Sequence, residues 1–113
     1  MALTASVVIP TRGRPSYLQI ALASIAPQAS ASGAEVLVVD DAGPDPETRA
    51  LAARFGARYE PHPQPLGLNV ARNTGVARSS GDLVVFVDDD IRAQPGSLMS
   101  PPSHPRQASD GAN

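Results

Sequence analysis

Cysteine and lysine are both absent from the 113 residues. Without cysteine there is no disulfide framework, no thiolate metal site and no thiol nucleophile, a composition that suits a reducing compartment. Without lysine, Schiff-base chemistry and Walker-type phosphate binding are excluded, since both need the amine. The 9 basic residues are all arginine, so any diphosphate contact falls to guanidinium groups. Long hydrophobic runs are missing too. None approaches the about 18 residues that span a bilayer, and residues 1–6 lack the basic stretch and apolar core of a secretory signal. A net charge of −2 and an isoelectric point near 5.5 give no electrostatic case for nucleic acid or an anionic membrane. A soluble, cytoplasmic protein with a small-molecule ligand is the expectation.

What is present is a hydrophobic fraction of 42%, enough for one domain with a modest core in a chain too short for several. Short β-type runs alternate with helical ones. Val7, Val8 and Ile9 read as a buried strand ended by Pro10, and Leu18, Ala21, Leu22 and Ile25 follow at helical spacing from Pro15. Val36-Leu37-Val38-Val39 reads as a second strand ending in Asp40 and Asp41. Asp45 can then cap, and Pro46 open, a helix closed by Gly56. The pattern predicts a short third strand over 57–60 and a loop over 61–67, where Pro61, Pro63 and Pro65 each remove a donor. A helix over 68–80 follows, with Asn69, Arg72 and Asn73 on one polar face and Gly81 as its stop. Leu83-Val84-Val85-Phe86-Val87 is the fourth strand. This alternation predicts a four-stranded parallel sheet over 6–91, covered on both sides, with the first and fourth strands adjacent. Residues 100–113 hold Pro101, Pro102 and Pro105 among polar residues and are expected to be a disordered tail. The fold, over 1–99, reads as truncated.

Asp88, Asp89 and Asp90 stand directly after the fourth strand. In an open parallel sheet, ligands bind outside the carboxyl ends of the strands. Adjacent carboxylates repel one another unless a cation or hydrogen-bond donors compensate, and a divalent metal would do so. Side-chain alternation points Asp88 and Asp90 the same way and Asp89 elsewhere. The plainer alternative is a solvated acidic turn. His62 and His104, each without partners at ligand spacing, read as solvated surface residues.

Taken in order, these segments resemble the family 2 glycosyltransferases, with their GT-A nucleotide-sugar-binding fold, over residues 5–99. The resemblance rests on Val7-Val8-Ile9-Pro10-Thr11-Arg12-Gly13-Arg14-Pro15 and on Val38-Val39-Asp40-Asp41. It rests further on Gly67-Leu68-Asn69-Val70-Ala71-Arg72-Asn73-Thr74-Gly75 and on Gly81-Asp82 followed by the fourth strand and the aspartates; Pro95-Gly96-Ser97-Leu98 resembles the family's next helix start. It implies a Rossmann-like α/β parallel sheet binding a nucleotide-diphosphate sugar across the first, second and fourth strand ends. Pro10, Thr11 and Arg12 would line the nucleoside pocket, the Arg12 guanidinium stacking on the base where the family often has an aromatic. Asp41, or alternatively Asp40, would accept a hydrogen bond from the base; on the other reading one of the pair only caps the next turn. Arg72 would pair with diphosphate or base, and Arg14 could reach phosphate. The aspartates resemble the family's DXD element, with Asp88 at the ribose and Asp89 or Asp90 holding Mg²⁺ or Mn²⁺ on the diphosphate. The triplet can be aligned in two registers.

The implied reaction is transfer of a sugar to an acceptor hydroxyl on a lipid, glycan or protein. The family's acceptor-binding half and general base lie downstream of the DXD element, where this chain has only Asp110 as an acidic residue. A non-catalytic nucleotide-binding remnant is therefore the competing reading, and an uncovered sheet surface that favours self-association is expected. Other classes fit less well. A sugar-1-phosphate nucleotidyltransferase would carry a Gly-rich loop and a lysine, a haloacid dehalogenase-type phosphatase would have Gly-Thr in place of Ile91-Arg92, and a receiver domain needs a lysine.

Overall fold

Residues 4–89 are described by the computed structural model; Asp90, the helix start at 95–98 and the tail over 100–113 lie outside the described residues. The elements alternate as β1 (Ala5–Thr11), α1 (Pro15–Ser32), β2 (Glu35–Asp40), α2 (Pro46–Arg54), β3 (Arg58–Pro61), α3 (Leu68–Arg78) and β4 (Leu83–Phe86). All strand pairs are parallel, and the 4-stranded sheet runs in the order β3-β2-β1-β4. First and fourth strands are adjacent, as the alternation predicts.

The two-residue period of the strands divides the core. Val7 and Ile9 of β1, with Val36 and Val38 of β2, pack against Leu18, Leu22 and Ile25 of α1 and Leu51 and Ala52 of α2. Val8, Leu37 and Val39 point to the other face and meet Ala71 of α3, with Val84 and Phe86 partly buried beside them. The helices thus cover both faces of a sheet whose central strands carry apolar side chains on either side.

Two prolines fall inside strands, which the sequence reading does not foresee. Pro10 lies within β1 rather than ending it, in register with Val39. The Val8 carbonyl accepts from Val87 N (3.0 Å), so Pro10, two residues on, faces the same side, beyond the last β1–β4 pair at Val8 and Phe86. Its missing N–H interrupts no ladder. Pro61 is the last residue of β3, an edge strand. Asp40 O accepts from His62 N at 2.9 Å, which turns Pro61 toward the open edge, where no donor is needed.

Helix boundaries follow side-chain chemistry. Asp45 caps α2 by accepting from Thr48 N (2.9 Å) and Thr48 Oγ1 (2.6 Å), and Pro46 takes the first helical position. α3 begins after Gly67, whose φ of 104° and ψ of 160° lie in a region that only glycine enters readily.

At the amino ends of the strands, Glu35 joins β1, β2, β3 and the α3–β4 turn. It accepts from Ser6 Oγ (2.6 Å), Ser80 N (2.6 Å), Ser80 Oγ (2.9 Å) and Arg58 Nη1 (3.0 Å). Burial pushes its carboxyl up, but these donors outweigh it and bring the pKa from 4.5 down to about 2. Because the folded value lies below the unfolded one, this stabilisation is complete above pH 4.5 and drains away as pH falls toward 2. Thermal unfolding across that window is expected to show a steeper loss of Tm for the wild type than for Glu35→Gln. Parallel curves would contradict the assignment.

Candidate functional site

The carboxyl ends of β1, β2 and β4 deliver Thr11, the pair Asp40 and Asp41, and the pair Asp88 and Asp89 to one edge of the sheet. Beside Thr11 and Asp41 opens a cleft of about 200 Å³. It is lined by Pro10, Thr11, Arg12 and Arg14 from the end of β1 and the turn after it, by Asp41 after β2, and by Leu68 and Ala71 of α3. Five of the residues singled out in the sequence therefore line a single cavity.

The adjacent aspartates after β2 point apart. Asp40 turns into the protein, where Oδ1 accepts from Ala42 N (3.0 Å) and Oδ2 from the Tyr59 hydroxyl (2.6 Å). Burial and this bond to Asp40 push the Tyr59 phenol up to about 12, so it stays a donor. Asp41 faces the cleft while anchoring the loop that follows β3. Its Oδ1 accepts from His62 Nδ1 (2.7 Å) and Leu66 N (2.8 Å), and its Oδ2 from Gly67 N (3.0 Å). Burial raises the Asp41 pKa, yet the Leu66 amide, His62 and the Gly67 amide together hold it below the usual carboxylate range.

His62 is the main correction to the sequence reading. It is 5% exposed rather than solvated, with Nδ1 on Asp41 and Nε2 2.8 Å from Thr74 Oγ1 of α3. Partners 21 and 12 residues away are invisible to a search for ligand spacing. The readable signal was weaker: His62 follows directly on the third strand, and parallel pairing sets it level with the end of the second.

Asp88 and Asp89 also diverge. Asp89 is 2% exposed and bound within the protein, its Oδ2 accepting from Thr11 Oγ1 (2.8 Å) and its Oδ1 pairing with Arg14 Nη2 (2.9 Å). This couples the β1–α1 turn to the end of β4. Asp88 is half-buried and has no hydrogen bond or ion pair among the described residues. Arg12 is exposed at the cleft mouth. Arg72 does not line the cleft; its guanidinium lies 5.7 Å from the Phe86 ring centroid, and its Nε is buried without a hydrogen-bond partner. Leu68 and Ala71 line the cleft and Phe86 lies under Arg72; the sequence reading placed them only on the third helix and the fourth strand.

The donor set suits a hard cation. Carboxylates gather at the end of β4, and Mg²⁺ or Mn²⁺ usually takes one or two protein carboxylates with phosphate and water completing the shell. Among the described residues no group of three or more His, Cys, Asp or Glu gathers into a closed metal cage.

The parallel α/β sheet is of the Rossmann-like GT-A type, as its superposition on solved glycosyltransferases shows. The glycosyl transferase family 2 pattern matches residues 6–100, and the chain belongs to that family. It is 35% identical over 97 residues to the pre-mycofactocin glycosyltransferase of Mycobacterium tuberculosis, covering 84% of this chain and 19% of that protein. The crystal structure of glucosyl-3-phosphoglycerate synthase from M. tuberculosis, in complex with Mn²⁺, UDP and glucosyl-3-phosphoglycerate, superposes with a TM-score of 0.71 at 29% identity. That match covers 87% of this chain and 38% of the other. A mannosyltransferase from Pyrobaculum calidifontis in complex with GDP-Man and Mn²⁺ matches with a TM-score of 0.71 at 25% identity, over 83% of this chain and 30% of that one. The chain thus spans well under half the length of these relatives.

Proposed function

We propose that this chain is the donor-binding part of a glycosyltransferase that moves a sugar from a nucleotide-diphosphate sugar to an acceptor hydroxyl. The observation that carries the reading is the pair of carboxylates flanking β1. Asp41 lines the cleft with acceptor capacity to spare, and Asp88 has no hydrogen-bond or ion-pair partner among the described residues at the end of β4. An ionised carboxylate has about four acceptor sites, and three donors occupy Asp41. One site on Oδ2 remains for an N–H of the base.

In this reading Pro10 and Thr11 line the nucleoside pocket and Arg12 stacks its guanidinium on the base. The unpartnered Nε of Arg72 supports a role in meeting the diphosphate. Asp88 takes the ribose. Both oxygens of Asp89 are already engaged by Thr11 and Arg14, which favours Asp90 as the metal ligand and leaves Asp89 and Arg14 to brace the turn beneath the phosphates. When bound, Mg²⁺ or Mn²⁺ supplies Lewis-acid stabilisation of charge on the departing nucleoside diphosphate. The two Mn²⁺-bound relatives carry different nucleosides, so both uridine and guanosine donors belong in the reading.

An acceptor hydroxyl on lipid, glycan or protein and a cytoplasmic setting complete it; no helix among the described residues is long and apolar enough to cross a membrane. The exposed Leu68, Val70 and Val76 of α3 and Leu83 of β4 support self-association of this chain as part of the same proposal.

Calorimetric titration with uridine and guanosine diphosphates tests the site. Binding of at least one is expected to be about tenfold or more tighter with Mn²⁺ than with chelator, the scale of one charge-assisted contact. Asp88→Asn combined with Asp90→Asn should erase that difference. Equal affinity with and without metal in the wild type would sink the reading.

A further inference from the structure

His62 has no role in the reading so far, yet both of its ring nitrogens are engaged beside the cleft residue Asp41. Its amide donates to Asp40 O at 2.9 Å, its Nδ1 lies 2.7 Å from Asp41 Oδ1, and its Nε2 lies 2.8 Å from Thr74 Oγ1. Asp41 lines the cleft, and Thr74 sits on the helix whose first turn supplies Leu68 and Ala71 to the same lining. The imidazole is therefore a cross-link between the carboxylate and the facing helix.

The chemistry of the contacts fixes the direction of each bond. An ionised carboxylate only accepts, so Nδ1 carries the proton toward Asp41. In a neutral ring Nε2 then accepts from the Thr74 hydroxyl. Leu66 N and Gly67 N, at 2.8 and 3.0 Å, complete three fixed donors around Asp41. With Oδ1 holding two of them, the remaining acceptor site lies on Oδ2.

We propose that His62 is a positioning residue for base selection. It fixes the Asp41 carboxylate so that its free acceptor site meets a ring N–H donor, the group that uracil and guanine carry and that cytosine and adenine lack. This rests on the reading of the cleft as the nucleoside site. Selectivity arises because a ring nitrogen with a lone pair would face the carboxylate and leave both unsatisfied.

The test measures binding of uridine, cytidine, guanosine and adenosine diphosphates, and of inorganic pyrophosphate, to the full chain with Mn²⁺. The wild type is expected to prefer a ring N–H base over its counterpart by about tenfold, the worth of one hydrogen bond to a charged group. Two variants separate the ring nitrogens. His62→Asn sets an amide near the place of Nδ1 and should keep most of the preference, whereas His62→Gln reaches the place of Nε2 and should lose most of it. A residue that only filled space would favour Gln, the closer match in volume. Pyrophosphate affinity should be the same in all three.

A second readout needs no variant and holds even if His62→Gln does not fold. In the wild type the imidazole Nδ1 proton resonance should move when the preferred nucleotide is added and stay put with pyrophosphate. A wild type that discriminates between bases while its Nδ1 proton is unmoved, or while His62→Gln discriminates equally, overturns this inference alone. A wild type that binds none of the four nucleotides overturns the reading of the cleft and this inference with it.

Discussion

Asp41→Ala is expected to destabilise the fold by about 3 kcal/mol or more, a large share of the stability of a domain this size. The substitution strips the partner from His62 Nδ1 and from the amides of Leu66 and Gly67 at once. Each donor left unpaired away from water costs roughly 1–3 kcal/mol, with some relief where the loop can open to solvent. Urea unfolding of variant and wild type measures it. The same change should abolish base preference, because the acceptor for the ring N–H disappears. A loss below about 1 kcal/mol would show that the loop is held by something other than this carboxylate.

Gly81→Ala should produce a comparable effect from the opposite end of the sheet. A Cβ on Gly81 would stand 2.7 Å from Ala5 C, Ser6 N and Ser6 Oγ. Two of those atoms are backbone of a central strand and cannot rotate aside, so the start of β4 must move outward. That motion strains the 2.8 Å bond from Gly81 N to Ser6 Oγ and the pairing of Ala5 with Leu83. Overpacking of this kind costs about 1–3 kcal/mol, occasionally more, or a fall in Tm of about 10 °C for a small domain. The functional consequence follows from geometry: β4 carries Asp88 and Asp89, so nucleotide affinity should weaken though no ligand contact is mutated. An unchanged Tm would mean that β4 is not held where the Ser6 contacts place it.

The strand–helix alternation was readable because it depends on local patterns: apolar runs, the Asp45-Pro46 cap and the apolar period of α1 all act within one element. Parallel pairing followed from strands apolar on both faces, and the adjacency of β1 and β4 from the strand–helix alternation. What the sequence did not reveal depends on contacts between elements. Pro10 was read as a stop and Pro61 as loop because the rule that a strand proline removes a donor takes no account of which side the donor would face. His62 was read as solvated because burial by Asp41 and Thr74 exists only once β2, β3 and α3 are assembled. Side-chain alternation was read for Asp88, Asp89 and Asp90 alone, whereas the choice between Asp40 and Asp41 rested on the family resemblance. Which member of the first pair turns inward was settled by Tyr59 and the Ala42 amide.

The central claim is that a metal-bound nucleoside diphosphate sits across the carboxyl ends of β1, β2 and β4. Paramagnetic broadening by Mn²⁺ in the amide spectrum of the full chain, recorded with and without uridine or guanosine diphosphate, locates such a site directly. With nucleotide present, the amides of residues 10–14, 41 and 86–89 should broaden. Those around Glu35 and Ser80, about 17 Å away at the other end of the strands, should stay sharp. Broadening that is indifferent to nucleotide, or that centres on Glu35, would contradict the account.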